Sequence, residues 1–261
     1  MVTTQLKSLF SLEGKTALIT GGSRGLGFQI AEALGEYGAK VIVTARKQGE
    51  LDEAVATLTE RGIDAEAIAA DVSDVSEPER IGAQIEAEGG RVDILVNNAG
   101  TSWGSKTEEM PIKGWDKVMA INLTAPFLLS QQIAKRFMLP GGWGRIINVA
   151  SVEGMMGHHP DMIGTIAYNA SKGGVINFTR ALAAEWAARG ITVNAIAPGY
   201  FPSKLTDYTL DKHGDHLIRT TPSGRLGNDD DLKGAALLFA SDAGAHINGQ
   251  VLAVDGGASI I

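Results

Sequence analysis

Tyr168 and Lys172 stand four positions apart in the stretch Tyr168-Asn169-Ala170-Ser171-Lys172. On a helix that spacing puts both side chains on one face, where they can act on one site. A free phenol has a pKa near 10, and lowering it by about 3 units takes roughly 4 kcal/mol of differential interaction, which a nearby ammonium helps to supply. A phenol tuned in this way is a general acid toward a carbonyl oxygen and a general base in the reverse direction. Ser151 can donate a hydrogen bond to the same oxygen as negative charge develops on it. A Tyr and a Lys one turn apart also occur by chance in many helices, so the pair alone assigns nothing.

Asn122 acquires a role from its neighbour. Pro126, four residues on, has no N–H, so the Asn122 carbonyl loses its intrahelical donor. An ordered water is the natural replacement. The sequence therefore predicts a kink that presents a backbone acceptor toward the site; a plain proline kink with a polar residue at its base is the alternative.

The second source of chemistry is a glycine-rich turn, Gly21-Gly22-Ser23-Arg24-Gly25-Leu26-Gly27, placed between an apolar strand and an apolar helix. Backbone N–H groups in such a turn approach a pyrophosphate closely, and the helix dipole favours its charge. A tight strand-to-helix turn accounts for the glycines almost as well, but the position at the first strand–helix junction favours binding. About 20 residues on, where an acidic residue would hold a ribose 2′-hydroxyl, the chain reads Val43-Thr44-Ala45-Arg46-Lys47, with no acid. Arg46, with Arg24 in the turn, suits a 2′-phosphate and hence NADP(H) over NAD(H). An oxidised nicotinamide ring would push the Tyr168 phenol toward phenolate as well.

These residues need a scaffold that delivers them to one edge. Short, nearly continuous apolar runs at 16–20, 41–44, 67–71, 94–96, 145–149, 192–197 and 251–254 read as strands covered on both faces. Helical stretches lie between them at 27–37, 50–61, 77–88, 115–137, 167–189 and 230–241, with Gly38, Gly62 and Gly190 at expected C-caps. Repeated strand–helix–strand order implies parallel pairing with right-handed crossovers. The expectation is an α/β fold: a single domain over residues 1–261, with a doubly wound, Rossmann-type parallel sheet of about seven strands and helices on both faces. Asn98, Ala99 and Gly100 then follow the fourth strand, Ser151 the fifth, and Pro198-Gly199 the sixth, all at the ligand-binding edge. Residues 199–228 show no clear periodicity and form a candidate substrate lid.

Composition excludes other classes. The 261 residues are 44% hydrophobic and 20% charged, with a net charge of −7, so no basic surface points to nucleic acid or an anionic membrane. There is no cysteine, hence no disulfide, thiolate nucleophile or Cys-ligated metal. No secretory leader or membrane-length apolar run is read, and the expected setting is cytoplasmic.

In order along nearly the whole chain, TGGSRGLG, NNAG, Asn122, Ser151, YNASK and APG resemble the short-chain dehydrogenase/reductase family. The resemblance implies an oxidoreductase acting on CH–OH donors through an Asn–Ser–Tyr–Lys tetrad, here Asn122, Ser151, Tyr168 and Lys172. It implies that Lys172 binds the nicotinamide ribose and that a water on the Asn122 carbonyl extends a proton relay. It assigns Asp71 and Val72 to the adenine, Asn98, Ala99 and Gly100 to the cofactor wall, and Ser203 to the carboxamide. It also implies a homo-oligomer, a tetramer or dimer, through the helices holding Asn122 and Tyr168. No metal is expected.

Ser151 and Tyr168 lie 17 positions apart, about a helical turn more than is common in the family. The excess falls in GMMGHHPDMIGT, on the substrate side; His158 and His159 there read as solvent-exposed rather than as metal ligands or a second acid. Some stretches resemble NADPH-dependent 3-oxoacyl reductases (NNAGTSWG, APGYFPSKLT), others gluconate 5-dehydrogenases (FSLEGKTALITGGSRGLGF, TPSGRLGNDDDLKGAALLFASDA). The expected substrate is a small carbonyl or alcohol compound, a 3-oxoacyl-type ketone, with a sugar acid as the alternative. Met155, Met156, Trp103 and Phe201 either make an adaptable apolar pocket or pack loop against core. A non-catalytic NADP(H) sensor is the competing class, and it has no need of the tetrad.

Overall fold

A computed structural model describes residues 5–157 and 162–261. After a short helix α1 (Leu6–Leu9), strand and helix alternate: β1 (Thr16–Thr20), α2 (Gly25–Glu36), β2 (Lys40–Ala45), α3 (Gln48–Glu60), β3 (Ala65–Ala69), α4 (Glu77–Ala87) and β4 (Ile94–Asn97). The second half runs α5 (Ile112–Met119), α6 (Ala125–Ile133), α7 (Leu139–Gly141), β5 (Gly144–Val149), α8 (Ile166–Trp186), β6 (Ile191–Pro198), α9 (Asp207–Thr220), α10 (Lys233–Ala240) and β7 (Val251–Val254). The seven strands form one parallel sheet in the order β3-β2-β1-β4-β5-β6-β7. The order reverses between β1 and β4, and ligands of such sheets bind in the crevice outside the strand carboxyl ends at that reversal.

Strand residues alternate between two cores. Ile19, Val43, Val96 and Ile147 face α2, α3 and α10, in a cluster with Leu34, Leu51 and Phe239. Their neighbours Leu18, Ile42, Leu95 and Ile146 face the other way, with Ile81, Leu129 and Trp186. Continuous apolar runs are thus required on both faces, which is why these strands carry no polar-outward alternation.

Three expectations shift. The third strand ends at Ala69, not Asp71, because Asp71 turns the chain: its Oδ1 accepts from the Ser73 amide (3.1 Å) and hydroxyl (2.7 Å). The kink before Pro126 is a π turn at Ala120–Thr124, in which the Ala125 N–H reaches the Ala120 carbonyl. Pro140 has the same effect on Ala134–Met138, so the helix runs past the expected end to α7. A proline that removes one donor leaves the preceding turn free to widen. Finally, the segment without clear periodicity contains α9.

Gly38, Gly62 and Gly190 all take left-handed backbone angles, as their C-cap positions require. A Cβ on Gly62 would meet nothing within 4 Å, whereas on Gly190 it would stand 2.1 Å from the Gly142 carbonyl oxygen. Gly62→Ala should therefore cost only backbone strain, about 1–2 kcal/mol, and Gly190→Ala at least twice that. Equal shifts in urea midpoint for the two variants would contradict this packing.

Candidate active site

A cleft of about 660 Å³ runs along the carboxyl edge of the sheet, from Arg24 and Arg46 at one end to Ser151, Tyr168 and Lys172 at the other. The glycine turn forms its floor. Gly21 and Gly25 have φ of +64° and +54°, angles that an L side chain strains to adopt. A Cβ on Gly27 would fall 2.3 Å from both Asn98 Nδ2 and the Gly21 oxygen. The reason is a stitch between β4 and the turn: Asn98 Nδ2 donates to the Thr20 and Gly21 carbonyls (2.9 and 3.1 Å), while the Asn98 and Ala99 amides donate to Thr20 Oγ1 (both 3.0 Å). Gly21, Ser23, Gly25, Leu26, Asp71, Val72, Asn98, Ala99, Gly100, Pro198, Gly199 and Ser203 all border the cleft; Gly27 lies beneath it, buried.

At the first end, Arg24 Nη1 pairs with both Glu50 oxygens (3.0 Å each) and Lys47 Nζ with Oε1 (3.0 Å). The Lys47 hydrogen bond, with the charges of Arg24, Lys47 and Lys204, holds the Glu50 carboxyl below the usual range. Arg46 is exposed and has no hydrogen-bond or ion-pair partner among the described residues. Four cations, Arg24, Arg46, Lys47 and Lys204, thus stand around Glu50 at this end of the cleft. Thr44 Oγ1, buried at the same place, has no hydrogen-bond partner among the described residues. An orphaned hydroxyl, a cationic rim and a glycine turn that admits no Cβ at Gly27 fit a phosphorylated dinucleotide. The sequence reading missed Thr44 and Glu50, since neither type announces a ligand at a strand end or a helix start.

At the second end, Lys172 is buried and its Nζ donates to the Val149 carbonyl, the last of β5, at 2.6 Å. Burial pushes its pKa down to about 8. Its Nζ lies 5.6 Å from the Tyr168 ring centre. Burial pushes the Tyr168 phenol up to about 12; a hydrogen bond with Ser151 opposes the rise and the charge of Glu153 adds to it. The expected depression of the phenol by Lys172 is therefore absent from the ligand-free chain: the ammonium is spent on Val149, and desolvation dominates.

Asn122 sits nearby, but its side chain hydrogen-bonds to Thr101 and Ser171 rather than to Tyr168 or Lys172. Its Oδ1 accepts from the Thr101 amide (2.9 Å), and its Nδ2 donates to the Thr101 carbonyl (2.9 Å) and Ser171 Oγ (3.0 Å). It fastens the loop after β4 to α8. A second polar chain, Asn97 to Asn148 to Thr179, joins β4, β5 and α8 beneath the site (2.8 and 2.9 Å).

A recess opens beside Ser151 and Tyr168, bordered by Met162, Ile163, Leu205 and Tyr208. Of the four residues weighed for an apolar pocket, Phe201 is buried in the core and Trp103 packs against Gly114, so both hold loops in place. Met155 and Met156 are exposed and do not border the recess. Glu153, Asn169 and Tyr200 do border or brace it, and sequence reading gave them no role. His158 and His159 lie outside the described residues, and among the described residues no group of three or more His, Cys, Asp or Glu is placed to hold a metal ion. No helix among them is long and apolar enough to cross a membrane.

The family model for short chain dehydrogenases matches residues 15–213. The chain belongs to the short-chain dehydrogenase family. Gluconate 5-dehydrogenase of Gluconobacter oxydans is 39% identical to this dehydrogenase over 254 residues, 97% of each chain. The rhamnolipids biosynthesis 3-oxoacyl-[acyl-carrier-protein] reductase of Pseudomonas aeruginosa is 38% identical over 255 residues, 95% of this chain and 97% of the reductase. Among solved structures, a gluconate 5-dehydrogenase from Burkholderia cenocepacia in complex with NADP and tartrate superimposes with a TM-score of 0.93 at 34% identity, covering 98% of this chain and 100% of that one.

The buried ammonium has a stability consequence. Folded, Lys172 keeps its proton only below about pH 8; unfolded, it keeps it to about 10.5. Its depressed pKa therefore destabilises the fold below pH 8, and stability recovers as pH rises from 8 toward 10.5. Lys172→Met should stabilise the ligand-free chain at pH 7 by up to about 3 kcal/mol and remove that rise. A variant whose stability still rises between pH 8 and 10.5 as far as the wild type's does would contradict the assignment.

Proposed function

We propose that this dehydrogenase is NADP(H)-dependent and moves a hydride between the nicotinamide and a ketone or secondary alcohol, with 3-oxoacyl-type reduction as its reaction. The observation that carries the reading is the convergence of Ser151, Tyr168 and Lys172 at one end of a cleft whose other end is cationic. When bound, the dinucleotide supplies the hydride and, oxidised, a positive ring beside the phenol.

In reduction Tyr168 gives its proton to the substrate oxygen while Ser151 donates a second hydrogen bond to it. The high pKa of the phenol keeps that proton in place over the working range. In oxidation Tyr168 is the base, and its proton affinity must fall. The charge of Lys172 and the Ser151 hydrogen bond both act in that direction. Lys172, fixed on Val149, holds the nicotinamide ribose. The Asn122 carbonyl, left without its i+4 donor by Pro126, holds an ordered water that connects the site to solvent. Arg46 and Arg24 take the 2′-phosphate, Asp71 and Val72 flank the adenine, and Ser203 meets the carboxamide.

Residues 199–228 form the lid. Its base is pinned by Phe201 beneath Gly227, whose Cβ would fall 2.4 Å from the ring, and its body is α9. A hydroxylated sugar-acid ketone is the second reading, favoured by the polar groups Glu153 and Tyr200 in the recess. Assembly as a cytoplasmic homo-oligomer, a tetramer or dimer through α6 and α8, is supported by Phe127, exposed on α6 with its ring edge-on to Phe178 of α8.

A panel of 3-oxoacyl thioesters, sugar acids and simple ketones, assayed with NADPH and NADH, tests the function. Binding of NADPH without turnover of any carbonyl or alcohol would leave a sensor. Tyr168→Phe should keep cofactor affinity and lose at least about a hundredfold in kcat; near-normal kcat would remove Tyr168 from the chemistry. With the phenol pKa high, the rate of alcohol oxidation should climb with pH while ketone reduction stays level from pH 6 to 8 on this group's account; a falling oxidation rate would contradict the base role. Arg46→Asp should weaken NADPH far more than NADH, and equal weakening would mean that Arg46 does not meet the 2′-phosphate.

A further inference from the structure

Glu50 is a carboxylate in a cleft that is built for an anion. It lies in the first turn of α3, where the helix dipole favours negative charge, and it borders the cleft beside Arg24, Arg46 and Lys47. Arg24 stands at the N-cap of α2, just after β1. Strands β1 and β2 are paired neighbours, with Thr20 opposite Thr44 at their ends. The contact between Arg24 and Glu50 therefore spans the gap between the two turns that frame this end of the cleft. Arg24 Nη1 donates to both carboxylate oxygens at 3.0 Å, and Lys47 Nζ donates to Oε1 at 3.0 Å.

Folding alone does not call for this grouping. The Arg24 and Lys47 side chains are 51% and 71% exposed and that of Glu50 is 28% exposed, and ion pairs so open to water add little to stability. Their consequence is for binding. Glu50 occupies two of the cations that a ribose 2′-phosphate would use. Thr44 Oγ1, buried at the end of β2 without a partner among the described residues, and Arg46 border the same space. A phosphate seated on these two and drawing on Arg24 has to compete with the carboxylate already there.

We infer that Glu50 is a built-in counter-anion, displaced from Arg24 and Lys47 by the 2′-phosphate, and that it is a specificity-determining residue which holds down affinity for that phosphate and keeps weaker anions out. The inference rests on the NADP(H) reading and adds to it a residue that acts against the bound group. A phosphate carries close to two negative charges at neutral pH and three strong acceptor oxygens, so it can replace a carboxylate on a guanidinium and an ammonium. A ribose 2′-hydroxyl brings no charge, and chloride brings one without directed acceptors, so neither opens the contact. Once displaced, Glu50 turns its carboxylate to water and keeps its place in the first turn of α3.

Adenosine 2′,5′-bisphosphate and 5′-AMP differ only in the 2′-phosphate, and calorimetric titration of the ligand-free protein with each reads the effect without turnover. Glu50→Gln should tighten the bisphosphate about fivefold or more and leave 5′-AMP within about twofold, with NADPH and NADH following the same pattern. Glu50→Ala should do the same. Inorganic sulfate, a probe of the freed cations, should raise the melting temperature of Glu50→Gln more than that of the wild type. Unchanged bisphosphate affinity in both variants, or a loss in Glu50→Ala that Glu50→Gln restores, would make Glu50 a brace for Arg24 and overturn the inference. Equal gains for the bisphosphate and 5′-AMP, or equal sulfate shifts in variant and wild type, would overturn it as well. A wild type that binds the bisphosphate no better than 5′-AMP would remove the NADP(H) reading itself, and the inference with it.

Discussion

The hydrogen bond from Lys172 to the carbonyl of Val149 is the constraint on which the site depends. It joins α8 to the end of β5, and so sets Tyr168, one turn earlier on α8, against Ser151, two residues after Val149. The bond is short, at 2.6 Å, and its donor is buried, so rotation of α8 about its axis would leave an ammonium desolvated and unpaired. The helix is further fixed by Asn122 on Ser171 and by Asn148 on Thr179. Three polar links along one helix, two to β5 and one to the turn before α6, hold the phenol where the sheet ends.

This anchoring has an electrostatic cost, which is borne by the ligand-free state. A lysine buried without a carboxylate partner lowers its own pKa, and a phenol in the same place raises its own. The chain is thus less stable than an apolar equivalent would be, and its phenol is a weaker acid, less ionised at neutral pH, than a phenol in water. In the proposed mechanism both penalties are relieved by the same event, the arrival of a ligand with ribose hydroxyls and charge. Strain of this kind is expected where binding and proton transfer are required of the same residues.

The fold was legible because it rests on period. Continuous apolar runs located all seven strands, and the glycines at helix ends located three turns of the chain, since a C-cap there takes a left-handed backbone. The boundary at Asp71 was missed because an Asx turn competes locally with the ladder. Helix α9 was missed because it gives little to the core, so its apolar period is weak; only Leu217 is buried. Within the site, Tyr168, Lys172 and Ser151 were legible by spacing and by their place after β5. Glu153 and Tyr200 were not, because their pairing links positions 47 residues apart. The depressed phenol expected from Lys172 failed for a related reason: which acceptor claims the ammonium is decided by packing.

The chain has four tyrosines, so selective ¹³C labelling of their rings resolves the ionisation of Tyr168 by NMR, with Tyr168→Phe fixing its resonance. The account predicts no ionisation of Tyr168 below about pH 11 in the ligand-free protein, and a fall of at least two pH units when oxidised NADP is saturating. A pKa near 10 or below in the free chain, unmoved by the cofactor, would contradict it.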